Sequence, residues 1–141
     1  PDYYFRLTDH IESIDFLSKS FLKSAEGKTI SLEGIGAMAE VNSGNVMVLY
    51  STAFPRGMEQ LTDYCVFSYA GVLIHEMRHI ELHASGVAPG GWREEEMCEQ
   101  AAYQALKKMD APGGVLVRYD MYLHDPQAPR YQQWYDWYNQ W

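Results

Sequence analysis

The sequence predicts an α+β fold built as one domain over residues 1–141. Three observations lead there. Apolar residues recur at helical spacing in two long stretches of the second half, the middle third carries short strand-like runs, and Asn42-Ser43-Gly44-Asn45 supplies a hairpin turn between two of them. A chain of 141 residues has room for one proper core and little for a second, and neither an internal repeat nor a low-complexity linker divides it.

In chain order, Ile11, Ile14, Phe16-Leu17 and Phe21-Leu22 read as the apolar face of an amphipathic helix from Thr8 to Ala25, capped by Thr8 or Asp9 and stopped at Gly27. That helix would back the sheet. Thr29 to Leu32, Ala37 to Val41 and Val46 to Thr52 read as strands, the last two antiparallel across the hairpin turn, which gives a small antiparallel sheet. Tyr69 to Ala84 reads as a helix, with Leu73, Met77, Ile80 and Ala84 forming one apolar stripe. Gly90-Gly91 then breaks the chain. A second helix opens on Arg93-Glu94-Glu95-Glu96, whose acidic residues suit a helix N-terminus; Ala101, Ala102, Ala105, Leu106 and Met109 give it a small-residue packing face, and Lys107 and Lys108 end it before Asp110-Ala111-Pro112-Gly113. In the helical C-terminal part Trp134, Trp137, Tyr138 and Trp141 recur at helical spacing. A Trp face packed on the domain is the plain reading, and a platform for a sugar or a partner is the sharper one.

Within the first of the two long helices lies His75-Glu76-Met77-Arg78-His79. Positions four apart sit about 40° apart around a helix axis, so both imidazoles face one way and can share a Zn²⁺, with Glu76 projecting beside them as a general base. Zinc lowers the pKa of a bound water to roughly 7, and a neighbouring carboxylate can then take its proton. The apolar stripe lies opposite the histidines, as a helix anchored by its back and opening onto a cleft requires.

Such a site needs a third protein ligand, and the glutamate-rich start of the next helix offers three. Glu95, Glu99, Ala102 and Leu106 fall along one side of it; carboxylates on an apolar stripe are costly to bury without a metal or a metal-bound histidine to meet them. Glu95 is the favoured ligand, with Glu99 and Glu94 as alternatives, because one sequence does not set the register. The helix dipole alone accounts for Glu94 and Glu96 but not for Glu99. His83, one turn beyond His79, reads as a residue lining the cleft or supporting a ligand, since a third histidine on the metal would take the position that water needs. His10 and His124 stand in no motif.

Together the two helices, over roughly residues 70 to 110, resemble the gluzincin metallopeptidases, which carry H-E-x-x-H on one helix and a glutamate ligand in E-x-x-A-D-x-x-A on the next; the corresponding run here is Glu95-Glu96-Met97-Cys98-Glu99-Gln100-Ala101-Ala102. The resemblance implies a zincin-like fold, a peptide or protein substrate, His75, His79 and Glu95 on zinc, Glu76 as base, and Glu99 where the family has an aspartate supporting a histidine. Cys98 and Glu99 depart from the family's alanine and aspartate. His79-Ile80-Glu81-Leu82-His83 is similar to the H-x-x-L-H of the ImmA/IrrE-type branch, with Arg78 in place of its glycine. In metallopeptidases of this kind a sheet edge beside the zinc helix takes the substrate as an added strand, and Val46 to Thr52 is the candidate. Tyr119, Tyr122 or His124 would then be the side chains available to stabilise an oxyanion. The rival reading is a regulatory or interaction domain on a zincin scaffold, catalytically weak or inactive, for which retention of Glu76 would have no physical purpose.

A formal net charge of −8 and the lack of a basic stripe argue against a nucleic-acid partner. No apolar run approaches the roughly 20 residues of a membrane span, so the domain is expected to be soluble. Cys65 and Cys98, each in an apolar helical setting, are expected as buried free thiols. The chain starts at Pro1, as a processed form or excised fragment would, and no feature sets a compartment or an oligomeric state.

Overall fold

The computed structural model describes residues 2–18, 21–23, 26–32, 36–49 and 63–124. It is a mixed α+β arrangement in which a small sheet and a first helix pack on a long central helix, itself paired with a second long helix.

The first element corrects the sequence reading. Helix α1 covers Asp2–His10, and the chain is extended at β1 (Ser13–Leu17) and β2 (Phe21–Lys23), where a continuous helix from Thr8 is expected. Ser13-Ile14-Asp15-Phe16 alternates polar and apolar side chains, and that period of two prevails once β1 finds a partner: it pairs in parallel with β5 (Asn45–Leu49), from Ser13 opposite Asn45 to Leu17 opposite Leu49. Phe16 stacks on Tyr69 of the central helix at a centroid distance of 6.3 Å. The helix that does form lies earlier in the chain and packs on the two long helices rather than backing the sheet. Tyr3, Leu7 and Ile11, spaced by four, lay its apolar side on Ile74, Met77, Ala102 and Ala105.

Strands β3 (Thr29–Ser31) and β4 (Ala37–Glu40) fall where the sequence puts them, β3 pairing antiparallel with β2 in a separate two-stranded ribbon. Gly44, with φ of +68°, closes the β4–β5 hairpin; its carbonyl accepts the Glu12 N–H at 2.9 Å, and a Cβ here would lie 2.7 Å from the His10 carbonyl oxygen. In the main sheet the order is β1-β5-β4, so the sheet is mixed rather than purely antiparallel. This overturns β5 as the docking edge: it is the middle strand, its backbone groups paired on both sides, and among the described residues the edges are β1 and β4, of which β4 packs on the central helix.

The central helix, α2 (Asp63–Ala84), starts before the expected Tyr69 and buries Met77 and Ile80 of the expected stripe, while Ala84 at its end is exposed. Ile80 meets Val46 and Val48 of the sheet; Ile74 and Met77 meet Ala102 and Ala105 of α3 (Gly91–Lys108). Small residues bring α2 and α3 close. At Gly71 there is no space for more, since a Cβ would fall 2.3 Å from the Tyr119 hydroxyl oxygen and 2.9 Å from Leu106 Cδ1. Both long helices end alike. Val87 donates its N–H to Leu82 and Gly86 to His83 at the end of α2, and Ala111 to Leu106 and Asp110 to Lys107 at the end of α3, a paired closure that needs a left-handed residue and finds it in Gly86 and Asp110. Helix α4 (Gly113–His124) then seats Val115 on Leu106 and Ala111. The Trp134–Trp141 helix of the sequence reading lies outside the described residues, as do residues 50–52 of the expected third strand. No described helix is long and apolar enough to cross a membrane.

Candidate metal centre

Helices α2 and α3 run antiparallel, which sets His79 beside Glu94 and Glu95, and His75 beside Glu95 and Glu99. One face of α2 and one face of α3 therefore meet as imidazoles against carboxylates. His75 Nε2 and His79 Nε2 are 3.2 Å apart, Glu95 Oε2 lies 3.2 Å from the first, and Glu95 Oε1 lies 3.3 Å from the second. Zinc bound tetrahedrally at about 2.0–2.1 Å to nitrogen and oxygen sets its ligand atoms about 3.3 Å from one another. Each imidazole nitrogen thus has the other, and one Glu95 oxygen of its own, at about that spacing.

Of the outward nitrogens, that of His79 is hydrogen-bonded and that of His75 is approached at ion-pair distance. His79 Nδ1 lies 2.6 Å from Glu94 Oε1, and His75 Nδ1 lies 3.6 Å from Glu99 Oε1. A carboxylate on Nδ1 fixes the tautomer that leaves the Nε2 lone pair free for a metal and strengthens it as a donor. Glu94 does three things at once: its Oε1 also accepts from His83 Nε2 at 3.0 Å, and its Oε2 accepts the Gly90 backbone N–H at 3.0 Å. The start of α3, whose residue at the cap is a glycine with no side chain to offer, is thereby pinned to the histidine face of α2.

Electrostatics follow from this crowding. Glu76, Glu94, Glu95 and Glu99 are all buried, with Glu76 6% and Glu99 1% exposed. Burial opposes charge on His75, but the neighbouring Glu95 and Glu99 outweigh it and raise the imidazole pKa above its ordinary value; at His79 burial is likewise outweighed, by Cys98, Glu94 and Glu95, and its pKa is raised too. Glu95 is held well below the usual carboxylate range, because His75 and His79 overcome its burial. Burial pushes Glu76 up. The Cys98 thiol is pushed up to about 11, again by burial.

Each residue singled out in the sequence can now be placed. His75, His79 and Glu95 meet, Glu99 lies 3.6 Å from the outward nitrogen of His75, and Glu76 is buried near enough for their charges to act on it. His83 is partly exposed and reaches the cluster only through Glu94. His10 sits elsewhere, 3.6 Å from Glu81, and Tyr119 stacks on Tyr103 against the small-residue face, while the side chains of Tyr122 and His124 lie outside the described residues. Glu94, an alternative ligand in the sequence reading, stands on His79 Nδ1 and His83 instead, and one participant lies beyond that reading. Cys98 was taken only as a buried thiol; it is indeed buried and free, but Cys98, His75 and His79 each place one potential ligand atom within 4.8 Å of the others, a group that could hold a metal ion.

No family model, curated protein or solved structure matches this chain.

Proposed function

We propose that this chain is a zinc-dependent metallopeptidase of gluzincin-like type, in which His75, His79 and Glu95 hold the metal. The observation that carries the reading is the meeting of the two Nε2 atoms with the Glu95 carboxylate at 3.2–3.3 Å, with Glu94 bonded to Nδ1 of His79 and Glu99 3.6 Å from Nδ1 of His75. The donor set fits zinc: two imidazoles and a carboxylate are a borderline-hard combination with a fourth position left over. Charge supports it too, since four buried carboxylates face two imidazoles, an acidic excess that a dication meets.

Zinc bound there would supply an acidified water and a polarised carbonyl. The remaining work belongs to the chain. Glu76 is the base: one of its carboxylate oxygens accepts the proton of the attacking water and later delivers it to the leaving amine nitrogen. Burial raises its pKa toward the working range, where a group can both take and give a proton. Glu94 and Glu99 hold the imidazoles in register, and His83 steadies Glu94. Strand β4, paired on one side only among the described residues and packed on α2, offers backbone groups to an extended peptide.

Glu76→Gln tests the reading. The amide keeps the shape and cannot accept the proton, so zinc content and fold are expected to persist while peptide hydrolysis falls by about 10²–10⁴-fold. Hydrolysis near the wild-type rate, with contaminating protease excluded, would sink Glu76 as the base.

A further inference from the structure

Cys98 follows Glu95 by three residues, so the two lie on neighbouring sides of α3 and both face the histidines of α2. Its side chain is fully buried, and its sulfur falls within 4.8 Å of a ring nitrogen of His75 and of His79, which themselves converge. A tetrahedral zinc with sulfur at about 2.3 Å and nitrogen at about 2.0–2.1 Å sets S···N distances near 3.6 Å, so a shift of about 1 Å brings the sulfur into the coordination sphere. That is within the reach of a side-chain adjustment.

We propose that Cys98 is a fourth protein donor to the metal held by His75, His79 and Glu95, closing the site into a resting state of two nitrogens, one oxygen and one sulfur. The proposal rests on the metal-site reading above and adds to it a ligand and a form of regulation. On ligation the S–H bond breaks, its proton leaves to solvent, and the thiolate electron pair forms the metal–sulfur bond; no electron is transferred and no oxidant is needed. A thiolate in the set biases the site toward zinc, cobalt and cadmium and away from magnesium, calcium and manganese. It also takes the position that a substrate water requires, so the closed form is latent and the Cys98-detached form is the competent one.

Cobalt substitution separates the proposal from the reading beneath it. Protein stripped of metal and loaded with Co²⁺ is expected to show the intense visible d–d bands of four-coordinate cobalt together with a near-ultraviolet sulfur-to-cobalt charge-transfer band. In Cys98→Ser that charge-transfer band is expected to vanish while the d–d bands stay, and in Cys65→Ser both are expected to stay. Visible bands without a charge-transfer band in the wild type, or a charge-transfer band that survives in Cys98→Ser, would overturn Cys98 as a ligand and leave the three-donor site standing. If Cys98→Ser fails to fold, as circular dichroism would show, the wild-type spectrum and Cys98→Ala decide in the same way. Absence of all site-bound cobalt bands from the wild type would overturn both.

Discussion

Glu76 and Glu81 lie five residues apart on the same helix, both buried, and meet opposite solutions. Glu81 is answered by guanidinium groups: Arg6 of α1 donates from Nε and Nη2 to its two oxygens, each at 2.8 Å, and Arg78 adds a contact at 2.9 Å. This fork clamps α1 onto α2, and the pKa of Glu81 is lowered because the two arginines outweigh its burial. On the other face Glu76, Glu94, Glu95 and Glu99 are set against imidazoles. Guanidinium is a permanent cation and completes a structural pair. Imidazole is a cation only while it holds its second proton, and it gives that proton up to solvent when its nitrogen binds a metal. The chain thus uses arginine where a carboxylate is to be neutralised for good and histidine where a site is to stay open to a ligand.

The largest effect that can break this comparison concerns the glutamates of α3. Glu95→Ala removes a donor with one oxygen 3.2 Å from His75 Nε2 and the other 3.3 Å from His79 Nε2, whereas Glu99→Ala removes a carboxylate beside the outward nitrogen of His75. Competitive zinc titration is expected to show the greater loss of affinity for Glu95→Ala and a loss of roughly 10–100-fold for Glu99→Ala. The reverse order would exchange their roles.

Next in size is a pH dependence. In the metal-free domain the folded pKa values of His75 and His79 are raised, so the stability their protons contribute is fully present below the unfolded value of 6.5 and is lost as pH rises through the raised values. Zinc must displace those protons, and displacement becomes easier as pH rises toward the raised values. The gap in melting temperature between zinc-loaded and chelator-treated protein should therefore be wider near about pH 8 than near about pH 6. A gap that is flat or reversed would show that the imidazoles do not bind the metal.

Arg6→Met gives the smallest effect and sharpens the contrast. Losing the fork should lower stability by about 1–3 kcal/mol at neutral pH in denaturant unfolding, with zinc affinity unchanged. Because the folded pKa of Glu81 is depressed, its contribution is present above the unfolded value of 4.5 and disappears as pH falls through the lowered one, so wild type and variant should converge in acid. A zinc affinity that dropped along with stability would mean that the two faces of α2 are not independent.

What was legible in the sequence was whatever depends on neighbours along the chain. The spacing of His75 and His79, the Gly90-Gly91 break, the hairpin at Gly44 and the small-residue face of α3 are all local, and the structure places them as expected. What escaped depends on partners distant in sequence. Ile14 and Phe16 fit a helical stripe and an alternating strand equally well, and only the pairing with β5 decides between them. The same parallel pairing moves β5 from an edge to the centre of the sheet. At the candidate metal centre the ligand helix was legible, but Glu94 and Cys98 gain their roles from the antiparallel register of α2 and α3, which a single helix does not encode.

Elemental analysis of the purified, metal-replete domain tests the central claim most directly. The expected result is about one zinc per chain in the wild type, falling severely in both His75→Ala and His79→Ala while the fold persists by circular dichroism. Wild-type protein that binds no zinc under those conditions, or variants that keep a full equivalent, would contradict it.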